Sequence, residues 1–378
     1  MNNNNVLEEF FVWEENNLID LNQNLLKNEK QDNSVTTIET KIDSTPKDWR
    51  DITDPKLRKK LGNGVGVAYE YQPTPSFGLN KALGGGLPYG RQVLIWGSKS
   101  SAKSSMCLQM IALAQAEGKL CAWIDSEMSY SEDWARTLGV DPEKLIYSQA
   151  RTISDMVDVG VGLMNAGVDL IVVDSITSML PAIYFEKDTD EMKALENTKQ
   201  IGAESRDFSN AWKMLNYANN KVKPTLLVLI SQSRNNINAM YTSQQPSGGQ
   251  ATKFYSSCII KLFSSESDNQ ALKGKIKVGD KLIEEKIGRK IRWELQFSKT
   301  SPGFQSGEYD FYFRGDDIGI DAIGDLVDTA ESVGLVNRTG AWYQLDDGTK
   351  VQGREGFISR VKEDLDLQKS LKDKLANG

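Results

Sequence analysis

The chain has 378 residues, room for two to three average domains, and its 39% hydrophobic and 26% charged content is that of an ordinary globular protein. Its 52 acidic and 45 basic residues leave a net charge of −7, so no bulk attraction draws it to nucleic acid or to an anionic membrane. It contains no histidine, which removes Ser-His-Asp and Cys-His nucleophile systems, HExxH zinc sites and imidazole bases together. Catalysis must then run on carboxylates, Lys, Arg, amides and a hard cation such as Mg²⁺. Apolar runs such as Leu226 to Ile230 fall far short of the ~20 residues that span a bilayer. The start, MNNNNVLEEF, lacks the basic stretch of a secretory signal, and Cys107, Cys121 and Cys258 form no CxxC pair. Together these features predict a cytoplasmic protein.

In chain order, the first element is an acidic, Asn-rich extension with a linker, residues 1–47. Its first 44 residues hold nine acids and three lysines, so −6 of the −7 sits there. Leu7, Phe10, Phe11, Leu18, Leu21 and Leu25 recur at roughly helical spacing. A disordered tail and a helix that binds another protein or protomer both fit this pattern. Residues 48–74 form a second segment. From there to residue 314 the pattern is α/β. Arg91–Trp96, Leu120–Ile124, Asp169–Val173 and Thr225–Ile230 read as short apolar strands, and Met106–Glu117 as an apolar-faced helix. Strands alternating with helical stretches predict a mostly parallel sheet flanked by helices. Residues 315–378, helical and charged with a turn-rich insert at 338–353, predict a small C-terminal α/β domain.

The strongest chemical signal lies between the first strand and its helix. Gly97, Ser98, Lys99, Ser100, Ser101, Ala102, Lys103 and Ser104, followed by Ser105, match the phosphate loop GxxxxGK[ST], with Ala102 where Gly is expected. Such a loop turns successive backbone N–H groups toward oxyanions at a helix N-terminus. Lys103 would reach the β- and γ-phosphates of ATP, and Ser104 would offer its hydroxyl to Mg²⁺. Ala102 adds a Cβ where the loop often needs positive φ, at a cost on the order of 1 kcal/mol. Asp174, ending the strand LIVVD, is a candidate ligand of Mg²⁺ or its waters. Glu127, in CAWIDSE, is a candidate general base for the attacking water; either it or Asp125 could instead cap the next element. Gln232 ends a further strand, where an amide could sense the γ-phosphate.

These residues carry a resemblance. LNKALGGGLPYGR, the phosphate loop, AQAEGKLCAWIDSE, WARTLGVDPEKL, IVVDS at 171–175, SGGQATKFY at 247–255 and GAWYQ at 340–344 resemble the RecA recombinases at family-like spacing, over about residues 55–365. The missing histidine, the acidic extension and Ala102 suggest a divergent, bacteriophage-type member. The resemblance implies a DNA-dependent ATPase that assembles on single-stranded DNA as a helical filament and pairs it with homologous duplex, in recombination and the repair of DNA damage. It implies that Glu127 activates water, that Trp134 stacks on adenine, and that Gln232 couples the γ-phosphate to DNA. DNA-facing loops are expected within residues 181–202 and 233–250. The second loop has no core pattern and is too long for a simple connector. Its Arg234 is a cation, its Ile237 an apolar wedge between bases, and Gly248, Gly249 and Gln250 bring backbone and amide groups to phosphate. Arg206 and Lys213, seven apart, share one helix face; a solvated face is the plain alternative, and the resemblance favours phosphate contact.

ATP would lie between protomers, reached by Lys299 of the neighbour. The family usually has a second lysine where this chain has Phe297. Phe254 would pack across the protomer interface, with a core position as its alternative. Lys56–Gly62 and Val65–Tyr71 resemble a helix and strand that dock on the adjacent protomer. Two other functions share these motifs. One is a hexameric helicase of the same fold, against which SGGQATKFY, GAWYQ and the C-terminal region argue. The other is a weakly hydrolysing, ATP-gated DNA-binding filament protein, which Ala102 and Phe297 would suit.

Overall fold

The computed structural model describes residues 54–58, 69–185, 192–193, 202–236, 243–264, 271–278, 281–315, 317–345 and 347–377. The acidic extension and Ile237 lie outside them, as does most of residues 181–202. The chain divides into two compact units, Met1–Val67 and Ala68–Gly378. Of the first, one helical turn is described, α1 (Pro55–Arg58).

The second unit opens with β1 (Tyr71–Gln72), helix α2 (Phe77–Leu83) and β2 (Leu87–Pro88). The Ser76 side chain caps α2 by accepting from the Leu79 N–H. The alternating α/β pattern follows as β3 (Gln92–Gly97), α3 (Lys103–Ala116), β4 (Cys121–Asp125), α4 (Glu132–Thr137), β5 (Leu145–Gln149), α5 (Ile153–Asn165), β6 (Leu170–Asp174), α6 (Ala203–Ala218) and β7 (Leu226–Asn236). Then come β8 (Ser243–Pro246), α7 (Gly249–Tyr255), β9 (Cys258–Ser264), β10 (Ala271–Val278), β11 (Lys281–Ser298), β12 (Gln305–Tyr312) and β13 (Gly319–Ile320). The C-terminal part holds α8 (Ala322–Ser332), β14 (Asn337–Thr339), β15 (Trp342–Gln344), β16 (Lys350–Gln352), α9 (Arg354–Glu363) and α10 (Leu365–Asn377).

One sheet organises the molecule, in the order β13-β12-β11-β9-β3-β7-β6-β4-β5. From β9 to β5 all neighbours run parallel. The alternation of side chains across a strand explains its two cores. Val93, Ile95, Leu170, Val172 and Val228 pack on one face with Leu79, Met106 and Met110 from α2 and α3. Leu94, Trp96, Ile171, Val173 and Leu229 pack on the other with Met156 from α5 and Phe208 and Trp212 from α6. Burial on both faces is why these strands read as continuous apolar runs. The sheet also carries an antiparallel extension, β11 to β13, that the sequence reading did not anticipate. The turn-rich insert near residue 340 is a three-stranded antiparallel sheet, and Tyr343, Phe357, Val361 and Leu326 form a core of their own beside it.

Register sets what meets at the strand ends. Gly97 of β3 stands beside Gln232 of β7, and Asp125 of β4 beside Asp174 of β6. Ligands of open parallel sheets bind at such carboxyl ends. Among the described residues no helix is long and apolar enough to cross a membrane.

Candidate nucleotide site and nucleic-acid face

The loop between β3 and α3 turns through positive φ at Ser100 and Ala102 and is tightly packed at Gly97. A Cβ on Gly97 would sit 2.0 Å from the Leu262 carbonyl oxygen, so only glycine fits there. Ala102 adopts φ 59°, the left-handed conformation its Cβ disfavours, and Ser100 adopts φ 61°. Lys99 and Ser100 are exposed, Ser98, Ser104 and Ser105 half-buried, and Ser101 and Lys103 buried. The Ser101 hydroxyl donates to the Ser98 carbonyl at 2.8 Å. Lys103 Nζ donates to the Ser98 carbonyl at 2.7 Å and the Gly97 carbonyl at 3.2 Å. Burial lowers its pKa from the ordinary lysine value, opposed by the charges of Asp174 and Glu127. A buried ammonium tied to neutral carbonyls is poised to gain from an anion.

Ser104 Oγ donates to Asp174 Oδ2 at 2.6 Å. Burial pushes the Asp174 carboxyl up to about 6, with the Ser104 hydroxyl acting the other way. A hydroxyl and a carboxylate are the donor set of a hard, oxygen-binding cation. Among the described residues no group of three or more His, Cys, Asp or Glu is gathered to hold a metal. That donor set suits Mg²⁺, which commonly keeps waters and substrate phosphate oxygens among its ligands.

The two candidate carboxylates separate cleanly. Asp125 is fully buried and accepts from the N–H groups of Glu127, Ser129 and Tyr130 and from the Tyr147 hydroxyl. It builds the turn after β4, and its lone pairs are committed. Glu127 is half-buried and reaches across the strand ends. Its Oε1 accepts from Gln232 Nε2 at 2.9 Å and from the Ser175 hydroxyl. Gln232 is fixed in turn, because its N–H donates to Thr177 Oγ1 at 2.9 Å. Ser175 and Thr177 escaped the sequence reading, although hydroxyls in the run Asp174-Ser-Ile-Thr were the available signal. Trp134 is half-buried on α4, and its Nε1 donates to Ser105 Oγ at 3.1 Å. The indole is thereby held beside the start of α3.

A second group of residues lies beyond Gln232. β7 continues through Arg234 and pairs with β8. Arg234 is exposed, and its Nη2 donates to the Thr177 carbonyl at 2.8 Å. Gly248 and Gly249 follow in succession with φ 85° and 71° at the start of α7, and Gln250 is exposed there. Trp212 Nε1 donates to Thr252 Oγ1 at 2.9 Å, tying α6 to α7. Arg206 and Lys213 are both exposed on α6, whose apolar stripe of Phe208, Ala211, Trp212 and Leu215 is buried.

The interface candidates stand elsewhere. Phe254 is 76% exposed, which removes the core alternative, and Phe297 is 40% exposed. Lys299 Nζ lies 3.5 Å from the Phe254 carbonyl oxygen. Lys299 N–H donates to Ser257, and Ser257 N–H donates to Gln92, at the first residue of β3. The phosphate loop leaves the last residue of that strand. Five steps of roughly 3.3 Å each separate the two ends of β3, so Lys299 is out of reach of the loop that follows Gly97.

Residues 56–318 match the RecA N-terminal domain, and residues 324–377 match the RecA C-terminal domain. The chain belongs to the RecA family. It is 32% identical over 319 residues to Protein RecA of Clostridioides difficile (strain 630), covering 84% of this chain and 85% of that protein. It is 33% identical over 321 residues to Protein RecA of Mannheimia haemolytica, covering 84% and 81% of the two chains. Protein RecA of Haemophilus ducreyi (strain 35000HP / ATCC 700724) is likewise 33% identical over 322 residues, covering 84% and 80%. At this identity the chain is a divergent member. Family membership agrees with the parallel sheet flanked by helices and the small C-terminal α/β part described above.

Proposed function

We propose that the chain is an ATP-dependent DNA recombinase. It forms a helical filament on single-stranded DNA, pairs that strand with homologous duplex, and exchanges strands with DNA-dependent ATP hydrolysis. One observation carries the reading. The Gln232 amide joins Glu127 at the nucleotide site, and the same strand runs two residues further to Arg234 on the nucleic-acid face.

Each residue then has a task. The loop amides of residues 98–104 and the buried Lys103 bind the triphosphate, and Trp134 stacks on adenine. Ser104 and Asp174 would hold Mg²⁺, which supplies charge neutralisation of the β- and γ-phosphate oxygens when bound. Glu127 takes a proton from the attacking water. With ATP bound, the Gln232 amide leaves Glu127 Oε1 and turns toward the γ-phosphate. That exchange moves the end of β7, and so links nucleotide state to Arg234, Gly248, Gly249 and Gln250. Arg206 and Lys213 add phosphate contacts from α6. An acidic chain binds DNA in this way because only the lined groove needs positive potential.

The distance between Lys299 and its own loop supports an assembly in which Lys299 and Phe254 act on a neighbour's nucleotide. Residues 48–74 would dock on that neighbour, with 75–314 as the ATPase core and 315–378 as a separate small domain. Electron microscopy with single-stranded DNA and a non-hydrolysable ATP analogue tests the assembly. Helical filaments are expected; closed six-membered rings would favour a helicase.

A further inference from the structure

Arg234 is engaged at both ends of its guanidinium by its own chain. Nη2 donates to the Thr177 carbonyl, and Nη1 lies 3.7 Å from Glu204 Oε1. Glu204 is in the first turn of α6, the helix that carries Arg206 and Lys213. An acid thus stands within the cationic group that the reading above assigns to DNA phosphate.

Resting on that reading, we propose that Glu204 is an internal competitor for DNA: its carboxylate occupies on Arg234 the place of a backbone phosphate, and single-stranded DNA must displace it to bind. The arginine fork suits carboxylate and phosphate alike, so one can replace the other without rebuilding the site. The pair is half-exposed, 48% for Arg234 and 39% for Glu204. Pairs of that kind are weak, so a phosphate can win the exchange. The cancelled charge still matters, because the chain is acidic overall and Arg234 is one of three cations, with Arg206 and Lys213, assigned to this face among the described residues. Arg234 touches Thr177, whose hydroxyl holds the Gln232 N–H. Displacement of Glu204 therefore occurs on the strand that carries the nucleotide-site amide, two residues beyond Gln232.

A helix-end role gives a rival account, since an acid in the first turn favours the helix dipole. Glu204→Asp separates the two, because aspartate keeps that charge and shortens the reach to Arg234 by one methylene. The experiment is fluorescence anisotropy of a labelled oligothymidylate with the full-length chain and a non-hydrolysable ATP analogue, across a salt series. Glu204→Gln should bind about two- to five-fold more tightly at low salt, the worth of a half-exposed pair. Its plot of log affinity against log salt should be steeper by about 0.7, one more phosphate neutralised. Glu204→Asp should bind DNA like the Gln variant while keeping the wild-type melting temperature. Arg234→Ala should bind more weakly, and adding Glu204→Gln to it should change nothing further. If Arg234→Ala weakens binding but both Glu204 variants match wild type in affinity and slope, the competition is refuted and the DNA reading stands. A gain from Glu204→Gln that persists without Arg234 refutes it too, because the acid then acts through the general field. Unchanged binding by Arg234→Ala overturns the assignment of Arg234 to DNA, and the competition with it.

Discussion

The nucleotide site and the face beyond Gln232 use charge in opposite ways. At the first, Lys103, Asp125 and Asp174 are buried, and each is held by named hydrogen bonds. At the second, Arg206, Lys213 and Arg234 are exposed cations on a helix and a strand end. A buried charge cannot borrow solvent when its counterpart is lost, whereas an exposed one can. Chemistry at the strand ends should therefore be all-or-none with respect to single residues. Binding along the face should be graded and sensitive to salt.

The largest effect is expected at Lys103. Lys103→Ala removes the buried cation of the proposed phosphate loop, and no histidine can stand in for it. ATP affinity, measured by calorimetry, should fall by roughly 100-fold or more, as for loss of charge-assisted bonds in a buried site. Unchanged affinity would remove the phosphate-loop assignment.

Next is Glu127. Glu127→Gln keeps the shape but not the base, so hydrolysis should slow by ~10² to 10⁴ while ATP still binds. The variant should persist as an ATP-bound complex on DNA. If phosphate release continues at the wild-type rate, Glu127 is not the base; the committed lone pairs of Asp125 make it a poor substitute.

Asp325 sharpens the comparison, because it is a buried acid that belongs to neither region. It lies on α8 and accepts the Gly78 N–H at 3.1 Å, joining the C-terminal part to α2. Burial pushes its carboxyl up to about 6, with the Gly78 N–H pulling the other way. The folded chain therefore holds this proton more tightly than the unfolded chain does. Asp325 contributes stability that is complete below the unfolded carboxylate range near 4 and is lost as pH rises through about 6. Asp325→Asn should remove that loss while keeping an acceptor for Gly78. Relative to wild type, the variant should gain on the order of 2 kcal/mol between pH 4 and pH 7 in denaturant titrations. A pH-independent difference would contradict the buried-acid account.

The smallest effect is expected on the exposed face. Arg206→Ala should weaken single-stranded DNA binding by about three- to five-fold and make its salt dependence shallower by about 0.7. A loss as steep as that at Lys103 would mean that the two regions do not differ in the way described.

Much of the nucleotide site was legible in the sequence because its chemistry is local. Gly97 to Ser104 is one contiguous run of sequence, and Asp174 ends an apolar strand that announces itself. The different surroundings of Asp125 and Glu127 were not legible, since both stand at the end of the same strand; only the fold shows that the turn after β4 engages Asp125. The buried parallel strands were found by their unbroken apolar runs. β10 and β11 were missed because Lys273, Lys275, Glu284 and Lys286 alternate with Ile276, Ile283 and Ile287, a half-exposed pattern among charges. The opposition of Lys299 and Lys103 across the sheet was hidden as well. It depends on Lys299 closing a strand antiparallel to β9, and register of that kind is a tertiary fact.

The claim that this chain exchanges DNA strands is met most directly by an assay with a circular single strand and a homologous linear duplex, with ATP and Mg²⁺ present. The account predicts joint molecules that mature into nicked circular duplex with the wild-type chain, and none with Lys103→Ala. Robust DNA-dependent ATP turnover with no joint molecules would contradict it.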